Sequence, residues 1–229
     1  MSNLIKKILT LPLLRKSGLA AIDQALLSAA NFLVTILLIK YLPKEDYGYY
    51  AIVFSISLYL ISIQNALINT PLTVLLAGKT DMQKEKYVPS LFWGQIFVLA
   101  PVIIIFAVLF FMFNSHVNNS QLFSIYMALG IASLGILIKE FIKSHLFVLE
   151  KELRVIILDF GFFLIYLFGI FLLIILNALS VTHVILMMGV ASFCTSLFHL
   201  KNFRHVPELK IIQSSFKENW QYGRWALLG

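Results

Sequence analysis

The sequence predicts an all-α integral membrane protein, and this fold class is favoured by the composition, the alternation of apolar blocks with polar breaks, and the distribution of positive charge. The chain has 229 residues, of which 60% are hydrophobic and 13% charged, and its mean hydropathy is +0.89. Soluble domains are about 45–50% apolar and about 25% charged. The excess apolar residues therefore face lipid, and six spans of about 20 residues each leave no room for a separate catalytic domain.

The apolar blocks predict six transmembrane helices. They lie at residues 18–40, 47–76, 88–113, 122–147, 155–176 and 181–200. The second block exceeds the hydrocarbon core, because a straight helix of its length would extend roughly 45 Å at about 1.5 Å per residue. Tilt, a kink at Pro71 or a protruding end must absorb this excess.

The segments outside these blocks are predicted to be cytoplasmic. Residues 1–17 lack a small-residue cleavage site before a long apolar run, so they indicate a retained lead-in and not a signal peptide. Residues 201–221 form a basic, polar linker, and residues 222–229 resemble the start of a seventh helix. We therefore expect residues 18–200 to form a six-helix lobe.

Positive residues are concentrated in alternate breaks. The chain has 18 Lys and Arg residues and a net charge of +7, and only Lys40 and Lys44 lie near a break assigned to the outside. Because positive residues are retained on the cytoplasmic side, this asymmetry predicts that both termini are cytoplasmic. Small basic clusters between apolar blocks are typical of membrane-protein loops, so nucleic acid is not an expected partner.

Polar side chains recur along one face of each of the first two predicted spans, since residues spaced by three or four share a helix face. The two stripes are Gln24, Ser28, Asn31 and Thr35 in the first span, and Ser62, Asn65, Asn69 and Thr73 in the second. Such groups either hydrogen-bond to adjacent helices or line a hydrophilic translocation cavity. The sequence leaves both alternatives open.

Five ionisable residues lie within or near the predicted spans, where an unpaired charge is costly. They are Asp23, Lys139, Glu140, Lys143 and Asp159. The two lysines share one helix face near the cytoplasmic end of the fourth span, at a depth similar to that of Asp159. They are either snorkelling groups neutralised by Glu140 or Asp159, or a cationic patch for an anionic headgroup.

Other sequence motifs that could indicate nucleotide or metal binding are weak. The segment Gly78-Lys79-Thr80 has Thr73 where a phosphate-binding loop requires glycine. The five histidines show no metal-ligand spacing, and the single cysteine, Cys194, excludes an internal disulfide. We therefore predict no bound metal and no cofactor.

The residues of the first predicted span and the turn after it form a pattern. It comprises Gly18-x4-Asp23-Gln24-Ala25, Asn31-Phe32 and Tyr41-Leu42-Pro43-x-Glu45-Asp46-Tyr47-Gly48-Tyr49-Tyr50-Ala51. The pattern resembles the opening of the oligosaccharide flippase, or polysaccharide biosynthesis, family of the multidrug/oligosaccharidyl-lipid/polysaccharide exporter superfamily. That family often has glycine where Pro43 stands, which is compatible with the same turn. The resemblance in motif is confined to the first two predicted spans.

This resemblance implies a transporter and not an enzyme, located in the bacterial cytoplasmic (inner) membrane. Two six-helix lobes would surround a central cavity and flip a polyprenyl-pyrophosphate-linked oligosaccharide by alternating access. The expected partners are this lipid-linked substrate, membrane lipid and a second lobe in cis or in trans. Candidate cavity residues are Gln24, Ser28, Asn31, Asn65, Asn69, Lys139 and Lys143, and candidates for ion coupling are Asp23 and Asp159.

Three other functions remain as alternatives. A multidrug/cation antiporter of the same superfamily would favour an acidic, aromatic-lined cavity, in contrast to the cluster containing Lys139 and Lys143. A membrane enzyme of polysaccharide assembly would place a His, Asp or Arg cluster in a sizeable loop, whereas the predicted outer loops are short and nearly uncharged. A purely structural membrane scaffold is the third alternative.

The predicted topology can be tested by cysteine labelling. In a Cys194→Ser background, single cysteines at Asn119 and Ser214 are expected to react with an impermeant reagent from opposite sides of the membrane, because the positive-charge asymmetry places them there. Labelling of both positions from the same side would contradict the six-span topology.

Overall fold

The computed structural model describes residues 12–114 and 120–228, and within these ranges it contains helices and no strand. The helices are α1 (Pro12–Tyr41), α2 (Lys44–Gln64), α3 (Thr70–Ala77), α4 (Asp81–Asn114), α5 (Ser120–Val148), α6 (Glu152–Ile175), α7 (Val181–Leu200) and α8 (Leu209–Leu228). A π-helical turn, Asn65–Asn69, joins α2 to α3, and a 3₁₀ turn, Lys201–Phe203, follows α7.

Five segments among the described residues are long and apolar enough to cross a bilayer. They are Gly18–Tyr41, Lys44–Ala77, Gln121–Val148, Glu152–Ile175 and Val181–Phe203. These segments confirm an all-helical chain with the character of a multi-pass membrane protein. The predicted third span, 88–113, lies within α4, but many of its side chains are outside the described set. The six-span topology and the cytoplasmic termini therefore stay predictions.

The first two spans meet at a turn that the sequence explains. Pro43 precedes α2 with an extended backbone, φ −56° and ψ 151°, which ends the run of helical residues before it. Glu45 and Asp46 occupy the first turn of α2, where carboxylates interact favourably with the helix dipole. Gln121 Nε2 also donates a hydrogen bond of 2.8 Å to Asp46 Oδ1, which connects the start of α2 with the start of α5.

Helix α5 contributes to both apolar cores of the described chain. One core joins α1, α2, α5, α6 and α7 around residues such as Leu38, Ile125 and Ile170. The other joins α3, α4, α5 and α6 around residues such as Leu72 and Phe141, and includes Phe203 after α7. Because α5 packs in both, its buried positions extend almost all the way around its second half, as expected for a helix enclosed by others.

Small residues allow α5 and α7 to approach closely. A Cβ atom added at Gly135 of α5 would overlap the carbonyl oxygen of Gly189 in α7, and one added at Gly189 would lie 2.5 Å from Ala132 Cα. In a membrane, where lipid tails are as apolar as the protein core, such close backbone packing is a main source of helix association.

The excess length of the second span is accompanied by a π-helical turn directly before Pro71. Proline lacks an N–H group, and its ring clashes with the carbonyl group four residues earlier, so the regular hydrogen-bond ladder cannot continue through it. The widened turn Asn65–Asn69 accommodates this break. Asn219 Nδ2 of α8 lies 3.4 Å from the carbonyl oxygens of both Leu67 and Ile68, and donates to these groups.

Helix α8 begins at Leu209, within the segment predicted as a linker through residue 221. One face of the helix is buried, at Ile212, Ser215, Asn219 and Gly223. Two of these four residues are polar and one is glycine, but Lys210, Lys217 and Arg224 lie on the opposite face, so the helix is strongly amphipathic. Ser90 Oγ donates to Ser215 Oγ at 2.7 Å, and the Tyr87 hydroxyl donates to Asn219 Oδ1. Burial raises the pKa of the Tyr87 hydroxyl, and the nearby Glu218 carboxylate raises it further.

The connections 78–80, 149–151 and 201–208 lie on one side of the described bundle, which we call the basic side. Lys79, in the first connection, pairs with Glu218 of α8 at 2.8 Å. The ring of His145, one turn before the second connection, is 5.6 Å from the ring of Phe203, in the third. Trp93 Nε1 of α4 donates a 2.8 Å hydrogen bond to the Phe203 carbonyl oxygen. These contacts hold the last connection against α4 and α5.

The close crossing of α5 and α7 predicts a large difference between two glycine substitutions. Gly189→Ala would force the helices apart and is expected to destabilise the protein by about 1–3 kcal/mol. Gly48→Ala is the control, since no described atom outside its own stretch of helix lies within 4 Å of the position of its Cβ. Thermal unfolding of both purified variants in detergent measures the difference. Equal melting temperatures for the two variants would contradict the crossing described above.

Candidate functional site: a buried charge cluster

Five charged side chains from three helices meet within the spanning part of the bundle, and we call them the charge cluster. The cluster consists of Asp23 from α1, Lys139, Glu140 and Lys143 from α5, and Asp159 from α6. Asp23, Lys139 and Asp159 are buried, with 3%, 4% and 0% of their surface exposed. Because burial of an unpaired charge is costly, the pairing of these groups decides whether the helices can pack as they do.

Asp159 is the centre of the cluster. Lys139 Nζ donates to Asp159 Oδ1 at 2.6 Å, and Lys143 Nζ donates to the other oxygen, Oδ2. The two lysines reach the same carboxylate because their spacing of four places them on one face of α5. Each oxygen of Asp159 thus receives one ammonium group.

Lys143 also connects the cluster to the first helix. Its Nζ donates to Asp23 Oδ2 at 2.8 Å, so one ammonium group joins α1, α5 and α6. The other oxygen of the same carboxylate, Asp23 Oδ1, is buried and has no hydrogen-bond partner among the described residues.

The cluster has one more negative than positive formal charge. Glu140 Oε1 lies 3.2 Å from Lys139 Nζ and is the third carboxylate beside two ammonium groups. Aromatic rings complete the surroundings of the lysines: Lys139 Nζ is 4.6 Å from the ring centre of Phe162, and Lys143 Nζ is 5.9 Å from that of Phe147. Such rings attract cations through their quadrupole.

The cluster lies inside the ends of its helices. Lys143 precedes the end of α5 at Val148 by five residues, and Asp159 follows the start of α6 at Glu152 by seven, which is roughly 8–10 Å along a helix axis. Of the two interpretations that the sequence left open, lysines neutralised by carboxylates correspond to this geometry. Binding of an anionic headgroup by the lysines stays a prediction.

The two polar stripes do not join the charge cluster. Gln24, Ser28 and Asn31 are exposed on the outside of α1, as is Asn65 on the second span. Asn69 is buried, and its Nδ2 donates to Asn65 Oδ1 at 2.7 Å. The hydrogen bonds of Ser62 and Thr73 go to carbonyl groups of their own helix, those of Leu58 and Thr70. A place in a substrate cavity therefore remains a prediction for both stripes.

A buried pair of amides was not among the predicted site residues. Gln64 Nε2 donates to Gln95 Oε1 at 2.9 Å and to the carbonyl oxygen of Leu137 at 2.8 Å. The pair connects the second span with α4 and α5. Each glutamine is a polar residue within an apolar block, where its side chain needs a partner, and this is the signal that was available in the sequence.

Comparisons with known proteins do not assign a family. The chain matches no protein family model, and comparisons with curated proteins and with solved structures give no significant match. Within residues 12–114 and 120–228, no group of three or more His, Cys, Asp or Glu side chains is arranged to hold a metal ion.

Removal of Lys143 is expected to destabilise the protein, because a buried carboxylate then has no ammonium partner. Lys143→Met leaves Asp23 without its ammonium partner and should destabilise the protein by about 3–5 kcal/mol, as is typical when one member of a buried ion pair is removed. Adding Asp23→Asn to this variant should restore part of the loss. Lys84→Met is the control: Lys84 forms a 3.2 Å pair with the exposed Asp81, and such surface pairs contribute about 0–1 kcal/mol. Unfolding measurements giving equal losses for Lys143→Met and Lys84→Met would contradict the geometry.

Proposed function

We propose that the chain forms one lobe of a transporter that flips a polyprenyl-pyrophosphate-linked oligosaccharide across a bacterial cytoplasmic membrane by alternating access. Three observations support this proposal: the resemblance of the first span and turn to oligosaccharide flippases, the set of long apolar helices, and the buried charge cluster. The charge cluster is the observation that carries the transport part of the proposal. Charged residues between spanning helices commonly mark the pathway of an ion or a substrate.

The charge cluster supports ion coupling through Asp23. Its Oδ1 atom has no partner among the described residues, and the cluster has one surplus negative charge. Uptake of one proton or one monovalent cation at this carboxylate would balance that charge. The attraction between Asp23 and Lys143 would then weaken, and α1 would lose its ionic contact with α5. A ligand shifts a conformational equilibrium in this way when it binds one state better than the other.

The same step gives Lys143 a role toward the substrate. In the structure its ammonium group contacts two carboxylates, Asp23 and Asp159. After neutralisation of Asp23 it would retain one of them and become able to pair with a pyrophosphate oxygen. Ion uptake and substrate binding would thereby be coupled at one side chain.

A multidrug/cation antiporter of the same superfamily is a second candidate. It is favoured by the surplus of carboxylates in the cluster and by the rings of Phe147 and Phe162 near the ammonium groups. Such surroundings also suit an organic cation. The two candidates share the ion-coupling step and differ in the transported molecule.

The proposal is tested in the organism of origin with Asp23→Asn at the natural gene. The neutral amide cannot take up a proton and lacks the negative charge that a cation would balance, so export of surface polysaccharide should fall about tenfold or more, equivalent to about 1.4 kcal/mol in the transport barrier. Glu45→Gln, which changes an exposed carboxylate on α2, is the control and should export normally. Protein abundance is measured in both strains.

Three outcomes separate the candidates. Normal export by Asp23→Asn at normal abundance would contradict ion coupling at this residue. Unchanged surface polysaccharide after deletion of the whole gene would contradict the flippase proposal. Drug sensitivity in the deletion strain, together with normal polysaccharide, would instead support the antiporter.

A further inference from the structure

We propose that the exposed face of α8 binds the anionic headgroups of membrane lipids, and that this binding holds the opposite face of α8 against the π-helical turn of the second span. This inference does not depend on which molecule the protein transports. It rests on the charge pattern, the exposed aromatic residues and the position of α8 in the bundle.

Three basic residues form a straight line along α8. Lys210, Lys217 and Arg224 are each seven residues apart, which is nearly two full turns, and all three are exposed. The only acidic residue of the helix, Glu218, pairs with Lys79. In the described part of the chain, none of the three basic residues forms an ion pair with a carboxylate. The line of positive charge is therefore available to an anionic partner.

Large apolar and aromatic side chains surround this line. Leu209, Trp220 and Trp225 are 67%, 53% and 66% exposed, and the Arg224 guanidinium lies 5.1 Å from the ring centre of Trp225. Trp beside Lys and Arg is the composition of segments at the membrane–water interface, because the rings enter the headgroup layer while the cations meet phosphate groups. A nucleic acid or an acidic protein would not provide an apolar layer for these side chains.

The contacts of α8 place it at the height of this interface. Ser215 and Asn219 bond to Ser90 and Tyr87 of α4, just where α4 changes from a charged first segment, 81–86, to an apolar one. Phe216 packs so closely on Gly94 that a Cβ atom at that glycine would overlap its ring. Helix α8 thus crosses α4 on the basic side at the boundary between polar and apolar residues.

The buried face of α8 contacts the least regular part of the second span. Asn219 donates to the carbonyl oxygens of Leu67 and Ile68. A Cβ atom at Gly223 would lie 2.5 Å from the carbonyl oxygen of Ala66, so the two backbones are in contact there. Lipid bound on the outer face stabilises this docked position and, through it, the π-helical turn, because a ligand that binds one state preferentially increases its population.

The experiment compares hydrogen exchange of the full chain in nanodiscs of phosphatidylcholine and in nanodiscs of an equal mixture with phosphatidylglycerol. In the anionic nanodiscs, exchange in residues 209–225 and 64–70 should slow by about fivefold or more, as expected for preferential binding to the docked state. Added salt should reduce the effect, since it screens exposed charges.

Two triple variants test whether the line of basic residues on α8 causes the slower exchange in anionic nanodiscs. Lys210→Gln/Lys217→Gln/Arg224→Gln should show the same exchange in both nanodiscs. The control Lys86→Gln/Lys151→Gln/Lys201→Gln removes three other exposed charges and should respond to the anionic lipid as the parent does. Native mass spectrometry of the same samples counts the retained phosphatidylglycerol molecules, which should fall only in the α8 variant.

The outcomes are distinct. Equal exchange of the parent in both nanodiscs would overturn the proposal, as would an undiminished response of the α8 variant. Slower exchange in residues 209–225 without slower exchange in residues 64–70 would support lipid binding by α8. It would overturn the proposed stabilisation of the π-helical turn. An equal loss of response in both triple variants would show that the response depends on total surface charge and not on the three basic residues of α8. This outcome would also overturn the proposal.

Discussion

The arrangement of the described bundle depends on the sharing of one buried carboxylate by two lysines. Asp159 receives Lys139 on one oxygen and Lys143 on the other, and Lys143 continues to Asp23. In a low-dielectric interior, none of these charges is tolerable without its partners. The relative positions of α1, α5 and α6 are therefore set by the requirement that each ammonium group reaches a carboxylate. Apolar packing alone would allow these helices to slide and rotate more freely.

Helix α5 connects this polar centre with the rest of the lobe. Its lysine face meets α1 and α6, while Gly135 brings it against α7, and Phe141 lies in the aromatic core with Phe203. The same aromatic core anchors the chain that leads to α8, and α8 in turn donates hydrogen bonds to the π-helical turn of the second span. A change at the charge cluster is thus connected by packed residues to the basic side and to the most irregular part of the bundle.

Much of the helical architecture could be predicted from the sequence, because long apolar blocks and Pro43 determine where helices run and where one ends. The charge cluster was predicted in part. The spacing of Lys139 and Lys143 and the matching depth of Asp159 could be seen in the sequence. The pairing of Lys143 with Asp23 could not be predicted, because it depends on how α1 packs against α5, and sequence spacing does not show this. Helix α8 was missed as a helix over residues 209–221 because the segment is polar on average, although its amphipathic pattern was present in the sequence. The Gln64–Gln95 pair was missed because its partners lie on different helices.

The proposed transport function depends on a cluster that holds the helices together and still retains one carboxylate oxygen, Asp23 Oδ1, without a partner in the described part of the chain. This arrangement is tested directly by the distance between Lys143 Nζ and the carboxyl carbons of Asp159 and Asp23, measured by solid-state NMR on nitrogen- and carbon-labelled protein in lipid bilayers. We expect direct contact with both carboxyl groups, with the Asp23 contact absent in Asp23→Asn and the Asp159 contact retained. A Lys143 ammonium separated from both carboxyl groups in the parent protein would contradict it.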